Sequence, residues 1–325
     1  MVKLWTRLLY LEFINDDTGQ TLTIGKTIDD SNKPKIEITG SKYISSLKDN
    51  FTIKVYNMTY LQIYTIQKRQ LFHVKIYAGY LNGQNYFNFE APNIYDGYVL
   101  NILNSKKEYK DSIATFIVTS KAVAKAQQFR LSISYQSGVN LYSMAKYIAD
   151  KAGLENSVIS ESLKTTFSED LASCDTSATT YLDQIANSEG TTYVTTDSTS
   201  DSDFSLIDLS DEYRSRTTII IDPSKGMLIG DAPEINSSGL TFDSLPVVTY
   251  LVGDLINIDN AYVNVASGQD NYSTTTKTPN AVYLNAQGLY YVWQVDYSLS
   301  NTNGDFKLHL TCKNKELFDN LTSSS

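Results

Sequence analysis

The sequence predicts a mainly β protein with a small α+β unit in its middle, and three observations carry that reading. Tyrosine is abundant, with 24 residues against 6 prolines, a composition that suits pleated, half-buried surfaces. Apolar residues recur with a period of two in the first and last thirds of the chain, as in strands with one buried face. Between residues 138 and 190 the period lengthens to that of a helix.

At 325 residues the chain is long enough for two or three domains. The changes of period set their expected bounds at 1–120, 121–210 and 211–325. Hydrophobic residues make up 42% and charged residues 19%, enough apolar surface to fold rather than remain disordered. The net charge is −9 and no cluster of lysine or arginine occurs, so a phosphate-neutralising nucleic-acid site is excluded. Cys174 and Cys312 are too few for a disulfide framework or a zinc knuckle and are expected to be small buried hydrophobes. Met1 to Arg7 contains no apolar leader run, and nowhere do about 18 apolar residues follow one another, so neither a secretion signal nor a membrane span is expected.

In the first third, Phe51, Ile53 and Val55 fall on one face of a strand and Thr52, Lys54 and Tyr56 on the other. Phe72, Val74, Ile76 and Ala78 repeat the pattern, and Gly79–Tyr80 is expected to break that strand. Asn82–Gly83 signals a tight turn before Tyr86–Phe89. Two further strands, opening at Gly97 and Ile113, flank the polar stretch Asn104 to Asp111, giving a meander of six or seven strands. In the middle, Leu141, Met144, Ala145, Ile148, Ala149 and Ala152 lie at helical spacing, with Asn140 as N-cap and Gly153 as stop. Tyr181, Leu182, Ile185 and Ala186 mark a second helix, capped by Ser177 and ended near Gly190. Asp197 to Ser205 reads as an exposed loop between two short strands.

Strands return around Thr217 to Asp222, Gly226 to Pro233, Leu240 to Phe242, Leu255 to Ile258, Gly288 to Val295 and Phe306 to Cys312. A polar loop is expected from Gly268 to Pro279 and a frayed tail after Asn320. The run from Gly97 to Lys121 echoes that from Gly288 to Lys313. Each has a glycine-led strand, a polar turn and an alternating strand ending in Thr-x-Lys, which points to an internal duplication.

The residues offer poor material for catalysis. His73 and His309 sit on the polar phase of alternating strands, where a surface or interface role outweighs a catalytic one. No Gly-x-Ser-x-Gly, His-Glu-x-x-His or phosphate-cradling glycine loop occurs. Asp197, Asp201, Asp203 and Asp208 lack the glycine and distal glutamate of a calcium loop. Carboxylates are plentiful enough that a wall-degrading glycosidase pair survives as an alternative, although nothing selects one pair.

Ile53-Lys-Val-Tyr56-Asn57 followed by Val74-Lys-Ile76-Tyr-Ala78-Gly79-Tyr80, and then by an aromatic strand and Gly97, resembles the first domain of bacteriophage baseplate hub proteins, the central ring of a contractile tail tip. Gly226-Met-Leu-Ile229-Gly230-Asp-Ala-Pro233, then Gly253-Asp254-Leu-Ile256-Asn-Ile258, is similar to the corresponding run in that family's second such domain. The proline usual before the glycine–aspartate pair is replaced here.

The resemblance implies two tube-like β-barrel or sandwich domains related to each other. It also implies a homotrimer whose six domains form a pseudo-six-fold ring. Such a ring joins the six-fold tail tube protein to a three-fold central spike protein, with DNA only in transit, and tape-measure and other baseplate proteins nearby. The expected location is the tail tip of a virion made in the host cytoplasm. No enzyme activity, metal or cofactor is expected, and a fused lysozyme or peptidase has no room in the chain. A six-copy tube-completion or distal-tail ring protein is the other structural alternative.

Overall fold

The computed structural model describes residues 6–27, 33–43, 50–67, 72–81, 91–108, 111–154, 157–160, 163, 166, 171–188, 193–196, 204–208, 218–236, 239–258, 264–265 and 288–314. Asn82–Gly83, the 197–203 loop, the 268–279 loop and the C-terminal tail lie outside them, as does Gly190.

Among the described residues the first third holds seven strands: β1 (Thr6–Ile14), β2 (Thr21–Ile24), β3 (Ile36–Tyr43), β4 (Asn50–Tyr56), β5 (Phe72–Leu81), β6 (Asn93–Glu108) and β7 (Asp111–Ser120), with a helix α1 (Tyr60–Gln67) between β4 and β5. Alternation sets which face is buried. Phe51, Ile53 and Val55 of β4, and Val74, Ile76 and Ala78 of β5, are all fully buried.

Three expectations change here. The strand does not break at Gly79–Tyr80, because both pair across to β1, with Leu8 opposite Gly79 and Arg7 opposite Tyr80. The polar stretch from Asn104 lies largely within β6, whose ladder with β7 continues to Glu108 opposite Asp111; the ladder is made by main-chain groups and so accepts polar residues. The strand order is β3-β4-β7-β6-β5-β1-β2 and so not a simple meander. After β4 the chain passes through α1 and leaves β4 to pair with β7.

The middle comprises helix α2 (Lys121–Gln128), β8 (Arg130–Tyr135), α3 (Leu141–Lys151), β9 (Ser157–Ile159), β10 (Leu171–Ser177), α4 (Ala178–Ser188), β11 (Tyr193–Thr196) and β12 (Phe204–Asp208). Asn140 caps α3, its side chain accepting from Ser143 N at 3.3 Å. Past the helix, Gly153 takes a φ of 74°, which glycine adopts without a Cβ penalty. Ser177 caps α4 through Thr180 N. Val123, Leu141, Met144, Ile148, Tyr181, Leu182 and Leu206 form a core of their own.

The last third contains β13 (Ile219–Ile220), β14 (Ile229–Asn236), β15 (Gly239–Ser244), β16 (Leu255–Ile258), β17 (Asn264–Val265), β18 (Gly288–Ser300) and β19 (Phe306–Asn314). The pairing order β3-β4-β7-β6-β5 recurs there as β14-β15-β19-β18-β16, with the strands in the same chain order. The echo seen in the sequence is thus a repeated topology. One departure is that β13 runs parallel to β16, whereas β1 is antiparallel to β5.

Among the described residues the two repeats share one 14-stranded sheet, and one core cluster takes in Leu9, Phe13, Phe51 and Phe116 together with Ile256, Tyr290, Val295 and Leu310. The join is β18. Its first residues, Gly288–Tyr291, pair with β16. After a bulge between Val292 and Gln294, residues Gln294–Ser300 pair with β3 of the first repeat. One strand therefore serves both units. No helix among the described residues is long and apolar enough to cross a membrane.

Candidate assembly surfaces

The signature residues named above do not converge on one pocket; they occupy cores and turns. Tyr56 closes β4, its hydroxyl donating to Glu37 at 3.0 Å while Lys35 sits over its ring. Asn57 follows with a positive φ of 59° and ties the end of β4 to the start of β7. Its backbone N donates to Ser112 O at 2.7 Å, and its side chain bonds Asp111 and Ser112 N.

A Cβ on Gly97 would lie 2.4 Å from Thr119 O, so the β6–β7 ladder has space only for glycine there. One on Gly79 would make ordinary contact with Ala91 and Pro92. Tyr80 meets Phe306 edge-on at 5.2 Å. Gly226 and Gly230 take φ values of 78° and 73° on either side of the entry to β14, where Ile229 lies, and Pro233 is buried within that strand.

Gly253 and Asp254 have a sharper task. Gly253 N donates to Val292 O at 2.7 Å and Val292 N to Asp254 O at 2.9 Å, while the Asp254 carboxylate accepts from Leu251 N. The pair thus docks the chain against β18 one residue before the bulge and launches β16, where Ile256 and Ile258 are buried. The glycine–aspartate motif positions the point at which the shared strand changes partners.

The seam is fastened at its far end by Arg7 and Asn301. Arg7 Nη1 donates to Gly304 O at 2.8 Å and Ser300 O at 3.2 Å, and its guanidinium lies 5.4 Å from the Phe306 ring. Asn301 accepts from Ile36 N at 2.9 Å and donates to Pro34 O at 2.8 Å. Neither residue carries a sequence signal, because each bonds backbone groups more than 200 positions away.

Both histidines are held by carboxylates on strand surfaces. The His73 ring contacts Asp96 through Nε2, approaches Asp16 at 3.6 Å through Nδ1 and stacks on Tyr98, whose hydroxyl donates to Asp16. Asp96 thus meets one ring nitrogen and Asp16 the other. His309 pairs with Asp243 across the β15–β19 ladder at 2.7 Å, and Lys307 reaches the same carboxylate at 2.6 Å. Burial pushes the Asp243 carboxyl up, but the Lys307 and His309 hydrogen bonds outweigh it and hold the group below its ordinary value.

Among the described residues, no cluster of three His, Cys, Asp or Glu could hold a metal ion. A groove of about 420 Å³ between β8 and α3 is lined by Ser132, Ile133, Ser134, Tyr135, Val139, Ser143, Met144 and Tyr147. No carboxylate, histidine or cysteine lines it. Burial pushes the Cys312 thiol well up, which leaves that cysteine a packing residue.

The surface instead exposes apolar side chains. Tyr60 is 79% exposed and Leu61 72%, with Tyr64, Leu100 and Leu103 also open. These five lie on α1 and β6. The sequence marked the strand opening at Gly97 but not α1, because the residues between β4 and β5 look like a mixed connector until the helix is seen.

Solved structures that share this arrangement of strands and helices include tail proteins. A tail protein of Neisseria meningitidis MC58 aligns over 97% of this chain and 98% of its own, with TM-score 0.53 and 9% identity. The chain shares the fold of this tail protein. A 43 kDa tail protein of prophage MuSo2 from Shewanella oneidensis matches this tail-protein fold over 96% and 98%, with TM-score 0.53 and 8% identity. The Escherichia coli c3393 protein, a type VI secretion component described as similar to T4 tail proteins gp27 and gp5, matches over 86% of this chain and 73% of its own, with TM-score 0.54 and 10% identity. No family model matches the sequence, and no curated protein does. At such identities the likeness rests on fold alone.

Proposed function

We propose that the chain is the structural hub of a phage tail baseplate. In this reading three copies close into a pseudo-six-fold ring that joins the six-fold tail tube to a three-fold central spike and lets DNA pass. The observation that carries it is the repeated topology. A chain with two similar β units presents six of them when three copies assemble, which is what a three-fold body needs to meet a six-fold tube.

The fold shared with whole tail proteins supports the tail-tip location, and the work is assembly rather than catalysis. The tail tube protein and the spike protein are the partners, with tape-measure and other baseplate proteins adjacent. Acidic residues face the channel, since a net charge of −9 suits a lumen that DNA crosses without binding. Native mass measurement of the purified chain tests the proposal: a three-chain species is expected, and a six-chain ring or a persistent monomer overturns it.

A further inference from the structure

In the proposed ring the two β repeats meet the tube, which leaves the middle unit without a task. That unit carries the groove between β8 and α3, and the β8 residues from Ser132 to Tyr135 line it without a gap. Ile133 and Tyr135 pack on the inner face of the strand against the middle core, whereas Ser132 and Ser134 are exposed on the other face. A groove touched by both faces of a strand lies along its edge. The opposite wall is α3, which presents Ser143 and Tyr147 one turn apart, with Met144 buried between strand and helix.

On its other edge β8 pairs with β10, with Tyr135 opposite Leu171, Ile133 opposite Ser173 and Leu131 opposite Thr176. Phe129 O accepts from Ala178 N, so Phe129 and every second residue after it direct their main-chain groups at β10. The bulge lies in β10, between Ser173 and Thr176, and leaves the alternation along β8 unbroken. Ser134 therefore turns its N–H and C=O toward the groove. Thr166 stands opposite Asn140 in the register that Leu171 makes with Tyr135, so it too is on the β10 side. Among the described residues no strand takes the groove edge of β8.

We propose that the groove binds an extended acidic peptide, which adds to β8 as a third strand of the sheet it forms with β10. One peptide residue exchanges two main-chain hydrogen bonds with Ser134, its N–H donating to Ser134 O and its C=O accepting from Ser134 N. Side chains alternate along a strand, so the residues on either side of it turn toward Ile133, Val139 and Met144 and are apolar. Among the described residues no charged group lines the groove, and a charge buried there would lack a partner. Charge enters at the rim. Helix α3 carries exposed Lys146 and Lys151 against one acid, Asp150, and Lys151 lies 5.6 Å from the Tyr147 ring. Arg130, at the start of β8, is already matched by Asp175. The two lysines favour an acidic side chain on the peptide residue that pairs with Ser134 and disfavour a basic one.

The test titrates the fluorescein-labelled peptide Glu-Val-Glu-Val-Glu-Val with the full chain and follows anisotropy. Saturable binding is expected, at least about tenfold tighter than that of Lys-Val-Lys-Val-Lys-Val. The acidic peptide with N-methyl groups on its glutamates cannot donate to Ser134 O and should bind at least about tenfold more weakly. Ser134→Pro removes the donor at an edge position that tolerates proline, so it should keep its melting temperature and lose binding, while Ser134→Ala binds like the unaltered chain. Absence of saturable binding, or equal binding of the basic or the N-methylated peptide, overturns the proposal, whether or not Ser134→Pro folds. Undiminished binding by a folded Ser134→Pro chain also overturns it. A multi-chain species that Ser134→Pro abolishes, in a chain that binds no peptide, overturns it in favour of a second copy.

Discussion

At the scale of single residues, close packing and local charge set what each position tolerates. Gly239 opens β15 with a φ of 145°, and a Cβ there would sit 1.9 Å from Cys312 O. The neighbour is backbone and cannot rotate away. Gly239→Ala is therefore expected to cost on the order of 3 kcal/mol, read as a lower denaturation midpoint at unchanged slope. Asp243 makes a pH prediction. Its folded carboxyl lies below the ordinary value, so its stabilisation is present above the unfolded value and is lost as pH falls through the folded one. Below about pH 4 the unaltered chain should lose melting temperature faster than Asp243→Asn, which has no carboxyl to protonate. Parallel curves would show that the Lys307 and His309 contacts carry no net stability.

Elements depend on caps and fastenings. Asn140 and Ser177 were readable as caps because Ser, Thr, Asn and Asp satisfy the free N–H groups of a first turn. Asn140→Ala should lower stability by about 1 kcal/mol through α3, visible as a loss of protection in 141–151 by hydrogen exchange. Ser120 caps α2 in the same way, accepting from Val123 N, yet α2 went unread because its apolar positions follow directly from β7 without a break. Asn301 has a different task, since its side chain bonds both Ile36 N and Pro34 O across the seam. Asn301→Ala leaves a buried backbone donor without its acceptor, so a loss of about 1–3 kcal/mol is expected, with faster exchange at the start of β3.

Over the whole molecule, the first and last thirds share a sheet and a core, while the middle keeps its own. Chain segments 1–120 and 211–325 are therefore expected to unfold in one transition even if they are separate units by descent. A fragment ending at residue 120 loses β18 and exposes the full edge of β3, so it should aggregate or melt well below the intact chain. Independent folding of that fragment, seen as a sharp transition at the temperature of the intact chain, would show that the seam contributes little.

The alternation of Phe51, Ile53, Val55 and of Val74, Ile76, Ala78 determined by itself that these segments are strands and which face is buried, because a period of two admits one placement on a half-buried sheet. The helical spacing of Leu141 to Ala152 fixed α3 equally well, and the echo between the two hairpins made the repeat visible. Other features were decided only in three dimensions. Whether a strand such as β18 changes partners at a bulge depends on hydrogen bonds between residues hundreds of positions apart, and pairing leaves no trace in a strand's own alternation. The clamps of Arg7 and Asn301 onto backbone groups are silent for the same reason, since any residue supplies a carbonyl.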